Sequence, residues 1–183
     1  MGVKNYLIEG VSGTGKTAVC KELQRRGYHA INGDRELAYL GDPETGKPAD
    51  GLTHEPSAIF RSEHHIWCVE KVKTLVANQD EAVTFFCGNS RNSSKFIDLF
   101  DGVFVLEIDL ETLNRRIDER VALDPTDWGA KPAEREIIAR LHQTKEAIPR
   151  SGVTIDARRP LEQVVDEILS KCREADYLIS SPR

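Results

Sequence analysis

Gly10-Val11-Ser12-Gly13-Thr14-Gly15-Lys16-Thr17 satisfies the spacing G-x-x-x-x-G-K-[ST] without a mismatch, and its flanks decide how it is read. Tyr6-Leu7-Ile8 ahead of it is a short apolar run of strand type. Ala18-Val19-Cys20-Lys21-Glu22-Leu23 behind it spaces apolar residues as a helix does. Strand, glycine turn and helix N-terminus form the context in which this spacing cradles phosphate. Gly10, Gly13 and Gly15 let the backbone curl with its N–H groups pointing inward, and Ser12 and Thr14 complete the loop. The helix dipole adds partial positive charge at the same point. Lys16 is expected on the β- and γ-phosphates, and the Thr17 hydroxyl on Mg²⁺. The loop predicts binding of a nucleoside triphosphate.

The rest of the composition is ordinary. With 183 residues, 39% hydrophobic and 30% charged, the chain has the size and make-up of one globular domain with a real core. A net charge of −5 argues against broad binding to nucleic acid or anionic membrane. Anionic ligands must instead meet local arginines and backbone amides. Cys20, Cys68, Cys87 and Cys172 form no C-x-x-C pair, so they read as four reduced thiols of a cytoplasmic protein, with no zinc site. The first strand begins too near Met1 for a signal peptide. No apolar run approaches the roughly 18 residues that span a bilayer. Met1-Gly2 opens like a myristoylation signal, but Tyr6 stands at its Ser/Thr position.

Along the chain, strand-like runs alternate with helical ones, the pattern of a parallel sheet covered by helices. Strands are predicted near Asn5–Glu9, Tyr28–Asn32, Val83–Cys87, Val103–Ile108 and Val153–Asp156. Helices are predicted near Lys16–Arg26, Pro56–Val76, Ser93–Phe100, Leu110–Arg120, Pro132–Ile148 and Pro160–Ala175. Gly27 suits a helix C′ position, Asp109 an N-cap and Pro160 a first turn. Ligands of such sheets bind beyond the carboxyl ends of the strands, so the residues there carry the functional reading.

At the end of the second strand, Asp34 is placed to accept a hydrogen bond or a proton from a substrate hydroxyl, and Arg35 to pair with an anionic substrate. The alternative for Asp34 is a turn residue capping a helix near Arg35. Residues 41–51 make a long turn-rich excursion of the kind that shapes a substrate pocket. On the helix expected after it, His64 and His65 are adjacent and do not share a face, which argues against a metal site. Trp67 reads as core rather than as a stacking platform for a base, and Arg61 as a substrate contact with little to favour it. The third strand opens onto Gly88-Asn89-Ser90-Arg91, where Arg91 would clamp a phosphate. After the fourth strand, Arg116 and Arg120 lie four apart and point the same way. The irregular stretch from Val121 to Lys131 has the composition of a short mobile lid. Arg135 and Arg140, on the helix that follows, could add charge to the transition state if that lid closes.

With these pieces in place the chain resembles the P-loop nucleotide and nucleoside kinases, the group around adenylate, cytidylate and shikimate kinases. The resemblance implies a three-layer α/β/α P-loop fold with a five-stranded parallel sheet and a short lid. It implies one kinase domain over residues 1–183, with a substrate-binding insertion at about 35–77 and the lid at about 121–133. Nucleoside monophosphate kinases end the third strand with Asp-Gly-x-Pro-Arg. Here the residues read Cys87-Gly88-Asn89-Ser90-Arg91, so Gly and Arg match while Cys87 replaces the Asp that helps organise magnesium. By resemblance Arg91 holds an acceptor phosphate, Arg116 lies near the adenine and Arg120 near the ATP phosphates. Arg140 is similar to the lid arginine that reaches the transferred phosphate. The segment 156–161, including Ala157, resembles the loop whose backbone holds the adenine edge. Gly33-Asp34 resembles both the Gly-Asp of monophosphate kinases and the substrate-binding Asp of shikimate-like kinases.

The expected reaction is in-line transfer of the ATP γ-phosphoryl group, with Mg²⁺, to a small acceptor, and the sequence leaves three functional readings open, two of them differing in the acceptor. A nucleoside monophosphate or nucleoside leads. A non-nucleotide alcohol of the shikimate, gluconate or antibiotic type follows, with Asp34 as base. A nucleotide-binding regulatory switch is the third, supported by Cys87. Neither N-K-x-D nor D-x-x-G is present for a GTPase. The length and the absence of an acidic pair after the third strand argue against a large ring-forming ATPase. The sequence does not fix the oligomeric state.

Overall fold

A computed structural model describes residues 3–180, with side chains described through Glu174. The Met1-Gly2 start and residues 181–183 of the tail lie outside the described residues. β1 (Lys4–Glu9) leads through the glycine loop into α1 (Lys16–Arg25). β2 (His29–Asn32) runs into a single helical turn, α2 (Gly33–Glu36), and then into β3 (Ala38–Leu40). α3 (Ala58–Glu63), β4 (His65–Trp67) and α4 (Val69–Ala77) precede β5 (Val83–Cys87). Two 3₁₀ turns lead to β6 (Gly102–Glu107), followed by α5 (Leu110–Leu123), α6 (Pro132–Thr144), β7 (Val153–Asp156) and α7 (Leu161–Ser180).

The sheet has the order β2-β5-β1-β6-β7 with every pair parallel. These are the five strands expected from the sequence. Their apolar runs are nearly continuous because helices cover both faces. Tyr6, Ile8, Phe85 and Phe104 point to one face, against α1, α5 and α7. Leu7, Ile31 and Phe86 point to the other, against Trp67, Val72 and Phe96. The layers are therefore helix, sheet, helix. Asp109 caps α5 as expected, its Oδ1 accepting from Thr112 N at 2.8 Å, and Gly27 takes the left-handed φ of 86° after α1.

Three expectations fail locally. The helix expected over Pro56–Val76 is broken in the middle by β4, which pairs antiparallel with β3. Ile66 and Trp67 are β-type residues with at most 1% exposure, and burying them, Trp67 against the sheet, outweighs the helical spacing around them. Ser93–Phe100 forms two 3₁₀ turns rather than an α-helix. α5 runs to Leu123, three residues beyond the expected end, which shortens the irregular segment expected as a lid to 124–131.

Candidate active site

β1 and β5 lie side by side with Ile8 opposite Cys87, so the glycine loop and the segment after Cys87 rise together from the centre of the sheet. Asn32 at the end of β2 is opposite Cys87 as well, which brings α2 to the same edge. Within the loop, Gly15 adopts φ 106°, a value that a side chain would strain, and α1 starts directly after it. The N–H groups of that first turn have no intrahelical acceptor. Lys16 is buried and folds back, its Nζ donating to the carbonyls of Gly10 (2.6 Å) and Val11 (3.1 Å). Burial lowers its pKa, opposed by the charges of Asp34 and Glu9. An anion arriving at the loop would find an ammonium tethered only to carbonyl oxygens.

Above the loop is a cavity of about 730 Å³. Ser12, Gly13, Gly15, Lys16 and Thr17 form its floor, while Asp34, Arg35 and Arg91 line one side and Arg116 and Arg120 the other. Sequence reasoning thus assembled most of one site. Gly10, Thr14 and Ala157 support it from behind. Gly10 O holds Lys16, and Thr14 Oγ1 donates to Val11 O at 2.8 Å. Arg116 donates to Thr14 O (3.1 Å) and Ala157 O (2.7 Å), bracing the loop against the segment after β7. Arg120 reaches Ser12 Oγ at 3.3 Å and also bonds the carbonyl of Trp128, so the glycine loop is linked to the 124–131 segment.

Arg140 is not brought into the cavity. Ile138 and Leu141 turn that face of α6 towards the cavity, so Arg140 lies on the opposite side of the helix, 45% exposed and paired with Glu146 at 3.3 Å. Arg135 is also turned away, bonding Gly129 O and Asp118. Arg140→Ala is therefore expected to change turnover by no more than about twofold. Arg120→Ala should lower it by about 10²- to 10³-fold, as loss of one donor to developing charge does. Steady-state assays of the two variants side by side check this.

Asp34 lies in the short helix α2 rather than capping one, with its carboxylate about one-third exposed (35%) at the cavity wall. Its Oδ1 accepts from Asn89 N at 3.0 Å and is 3.2 Å from His65 Nε2. Burial opposes the charged form, but the His65 hydrogen bond and the Lys16 charge hold the carboxyl below its ordinary pKa. Gly88 makes this approach possible, since a Cβ there would lie 2.7 Å from Asp34 Oδ1 and 2.5 Å from Trp67 Cζ2. Trp67 is core, as expected, with its ring stacked on Phe96 at 5.6 Å.

Arg91 lines the cavity but is engaged. Its guanidinium donates to Ser62 O (2.8 Å) and Ser62 Oγ (3.0 Å), with Glu146 at 3.8 Å. Arg61, on α3, lies 5.1 Å over the Trp128 ring and 3.5 Å from Glu134, so α3 touches the 124–131 segment and α6. Arg35 has no hydrogen-bond or ion-pair partner among the described residues. Cys87 is buried beside Cys20 and burial pushes its thiol up, so it offers no charged ligand to a hard cation. Among the described residues no cluster of His, Cys, Asp or Glu is composed to hold a metal.

Two groups escaped the sequence reading. His65 was weighed only as half of a metal pair. Glu9 precedes Gly10 directly and is 1% exposed, with Asn89 Nδ2 3.4 Å from its Oε2. Burial, opposed by Lys16 and Asn89, pushes its carboxyl up to about 8. A charged residue directly between the apolar run Tyr6-Leu7-Ile8 and the glycine loop was the available signal.

No described helix is long and apolar enough to cross a membrane. Comparison with known proteins follows the same lines. A family model described as an AAA domain matches residues 7–140. Among curated proteins, none matches by sequence. A shikimate kinase from Bacteroides thetaiotaomicron superposes with TM-score 0.59 at 16% identity, covering 93% of this chain and 98% of that one. A gluconokinase from Sinorhizobium meliloti 1021 gives 0.56 at 20%, covering 97% and 98%. An unliganded sugar kinase from Janibacter sp. HTCC2649 gives 0.52 at 19%, covering 92% and 93%. At these identities the likeness is one of fold. By the family match over most of its length, this chain belongs to the AAA-domain family of P-loop proteins, and it is built on the fold shared with small-molecule P-loop kinases.

Proposed function

We propose that the protein transfers the γ-phosphoryl group of ATP to the hydroxyl of a small, anionic, non-nucleotide alcohol. The observation that carries this reading is the Asp34 carboxylate. It faces the cavity opposite Lys16, with two donors on Oδ1 and none on Oδ2 among the described residues. An oxygen in that setting is suited to take a hydroxyl proton. Arg91, which would have to hold an acceptor phosphate in a monophosphate kinase, is already engaged with Ser62 and Glu146. Arg35, without a partner among the described residues at the cavity wall, suits an acceptor that carries a carboxylate or similar group. The names of the structural neighbours, which act on shikimate, gluconate and sugars, point the same way.

In this reading the acceptor hydroxyl gives its proton to Asp34 Oδ2 as its oxygen bonds to Pγ. The Pγ–O bond to ADP breaks, and its electron pair leaves with ADP. Lys16 moves from the loop carbonyls to the β- and γ-phosphates, and Arg120 neutralises charge from the lid side. The donor set fits magnesium held chiefly by nucleotide oxygens and water. Thr17 offers a hydroxyl at the cavity floor, and Cys87 offers no competing thiolate. When bound, that ion would neutralise charge between the two phosphates. Residues 35–77 would form the acceptor side of a single kinase domain, closed by the lid.

The test is ATP consumption by the purified protein with Mg²⁺ against sugar acids, other hydroxy acids, nucleosides and nucleoside monophosphates. Turnover with a hydroxy acid is expected. Turnover confined to a monophosphate would overturn the alcohol reading. Tight ATP binding with no acceleration by any acceptor would favour a regulatory switch.

A further inference from the structure

We propose that His65 is the positioning residue of this site, holding Asp34 by its Oδ1 so that Oδ2 alone is presented to the acceptor. The inference rests on Asp34 acting as the base. His65 Nε2 lies 3.2 Å from Asp34 Oδ1, and because an ionised carboxylate only accepts, the imidazole carries its proton on Nε2. With Asn89 N at 3.0 Å on the same oxygen, Oδ1 has two donors and the carboxylate cannot turn about its Cβ–Cγ bond without losing both.

The histidine is itself firmly mounted. β4 is a three-residue strand, yet its backbone is tied to the segment after β5 at both of its ends, His65 and Trp67. Arg91 N donates to His65 O at 2.9 Å. Trp67 N donates to Asn92 Oδ1 at 3.0 Å, and Asn92 Nδ2 returns a bond to Trp67 O at 3.0 Å. The same segment supplies Asn89 N. One hydrogen-bonded unit, β4 with the segment after β5, thus delivers both donors to Asp34. The titratable groups facing Asp34 come from three other elements as well. Lys16 favours its charge, that charge in turn helps to keep the neighbouring Glu9 carboxyl protonated, and Cys87 lies buried nearby. Of these groups, only His65 donates a hydrogen bond to the carboxylate.

Loss of the donor makes the carboxylate easier to protonate, so the acid limb of kcat/KM moves to higher pH. His65→Ala is expected to lower kcat about 10- to 100-fold, with KM for ATP little changed. His65→Gln keeps an N–H donor but has no basic nitrogen, and it is expected to recover most of the activity and the wild-type acid limb. A second readout needs no catalysis. The ¹³C resonance of the Asp34 carboxyl, followed by NMR against pH, should titrate higher in His65→Ala and as in the wild type in His65→Gln. The thermal melt of each variant controls for folding.

If His65→Gln is as inactive as His65→Ala with Asp34 titrating normally, His65 is itself the base and the proposal falls. It also falls if His65→Ala leaves both the acid limb and the Asp34 titration in place. Asp34→Asn, measured in the same series, separates this from the reading beneath it. If that variant retains activity, Asp34 is not the base, and the alcohol-kinase reading fails irrespective of what His65 does to the carboxylate.

Discussion

Asp34→Asn is expected to lower kcat by about 10²- to 10⁴-fold, the usual contribution of a positioned general base, while ATP still binds. The substitution is close to isosteric. The amide oxygen can still accept from Asn89 N and His65 Nε2, so the α2 turn and the β4 segment keep their places. Only the ability of the second carboxylate oxygen to take a proton disappears. Lys16 loses a neighbouring charge but keeps its carbonyl partners, so the nucleotide loop remains formed. Transfer to a phosphate acceptor has no proton to remove at neutral pH and would lose far less, about tenfold or under for one hydrogen-bond partner. Single-turnover rates with and without acceptor, beside ATP binding by titration calorimetry, separate these outcomes. A drop below tenfold, with binding intact, would return the weight to Arg91 and a phosphorylated acceptor.

What the sequence made legible is what local spacing determines. The glycine loop, α1 and the five strands follow from period and punctuation, and Arg116 with Arg120 from a four-residue step on one helix. Arg140 shows the limit of that reasoning. Its resemblance to a lid arginine is a statement about position in the chain, whereas its direction is set by Ile138 and Leu141 taking the cavity side of α6. The β3–β4 pair was hidden for a different reason. Three-residue strands have no period to detect, and theirs exists because Trp67 is buried where Gly33 and Gly88 have no side chain to obstruct it. His65 was unreadable as a partner of Asp34 because the two are 31 residues apart and meet only through that pairing. Cys87 was read as a departure from a family pattern. In the folded chain it is a neutral core thiol beside Cys20, which favours its placement in the hydrophobic layer over any role at the metal.

Glu9→Gln is expected to stabilise the nucleotide-free protein at neutral and alkaline pH while changing little in acid. Glu9 ends the central strand at 1% exposure, and burial pushes its carboxyl from 4.5 up to about 8. A carboxyl harder to ionise folded than unfolded binds its proton more tightly in the native state. The unfolded chain then loses that proton first, and stability falls as pH rises from about 4.5 towards 8. At about 1.4 kcal/mol per pH unit inside that window, the wild type gives up about 3 kcal/mol by pH 7. Glutamine carries no charge, so the variant lacks this slope, while its amide oxygen can still accept from Asn89. Paired urea melts at pH 5 and pH 7.5 should show similar midpoints for the two proteins at the lower pH and a clearly higher midpoint for Glu9→Gln at the upper. A parallel fall of both proteins with pH would instead mean that Glu9 stays ionised against Lys16, 1 kcal/mol or more of pairing having outweighed its burial. In that case Glu9 would belong to the charged floor of the phosphate site, and Glu9→Gln would weaken the protein at every pH above 5 by leaving Lys16 with less opposing charge.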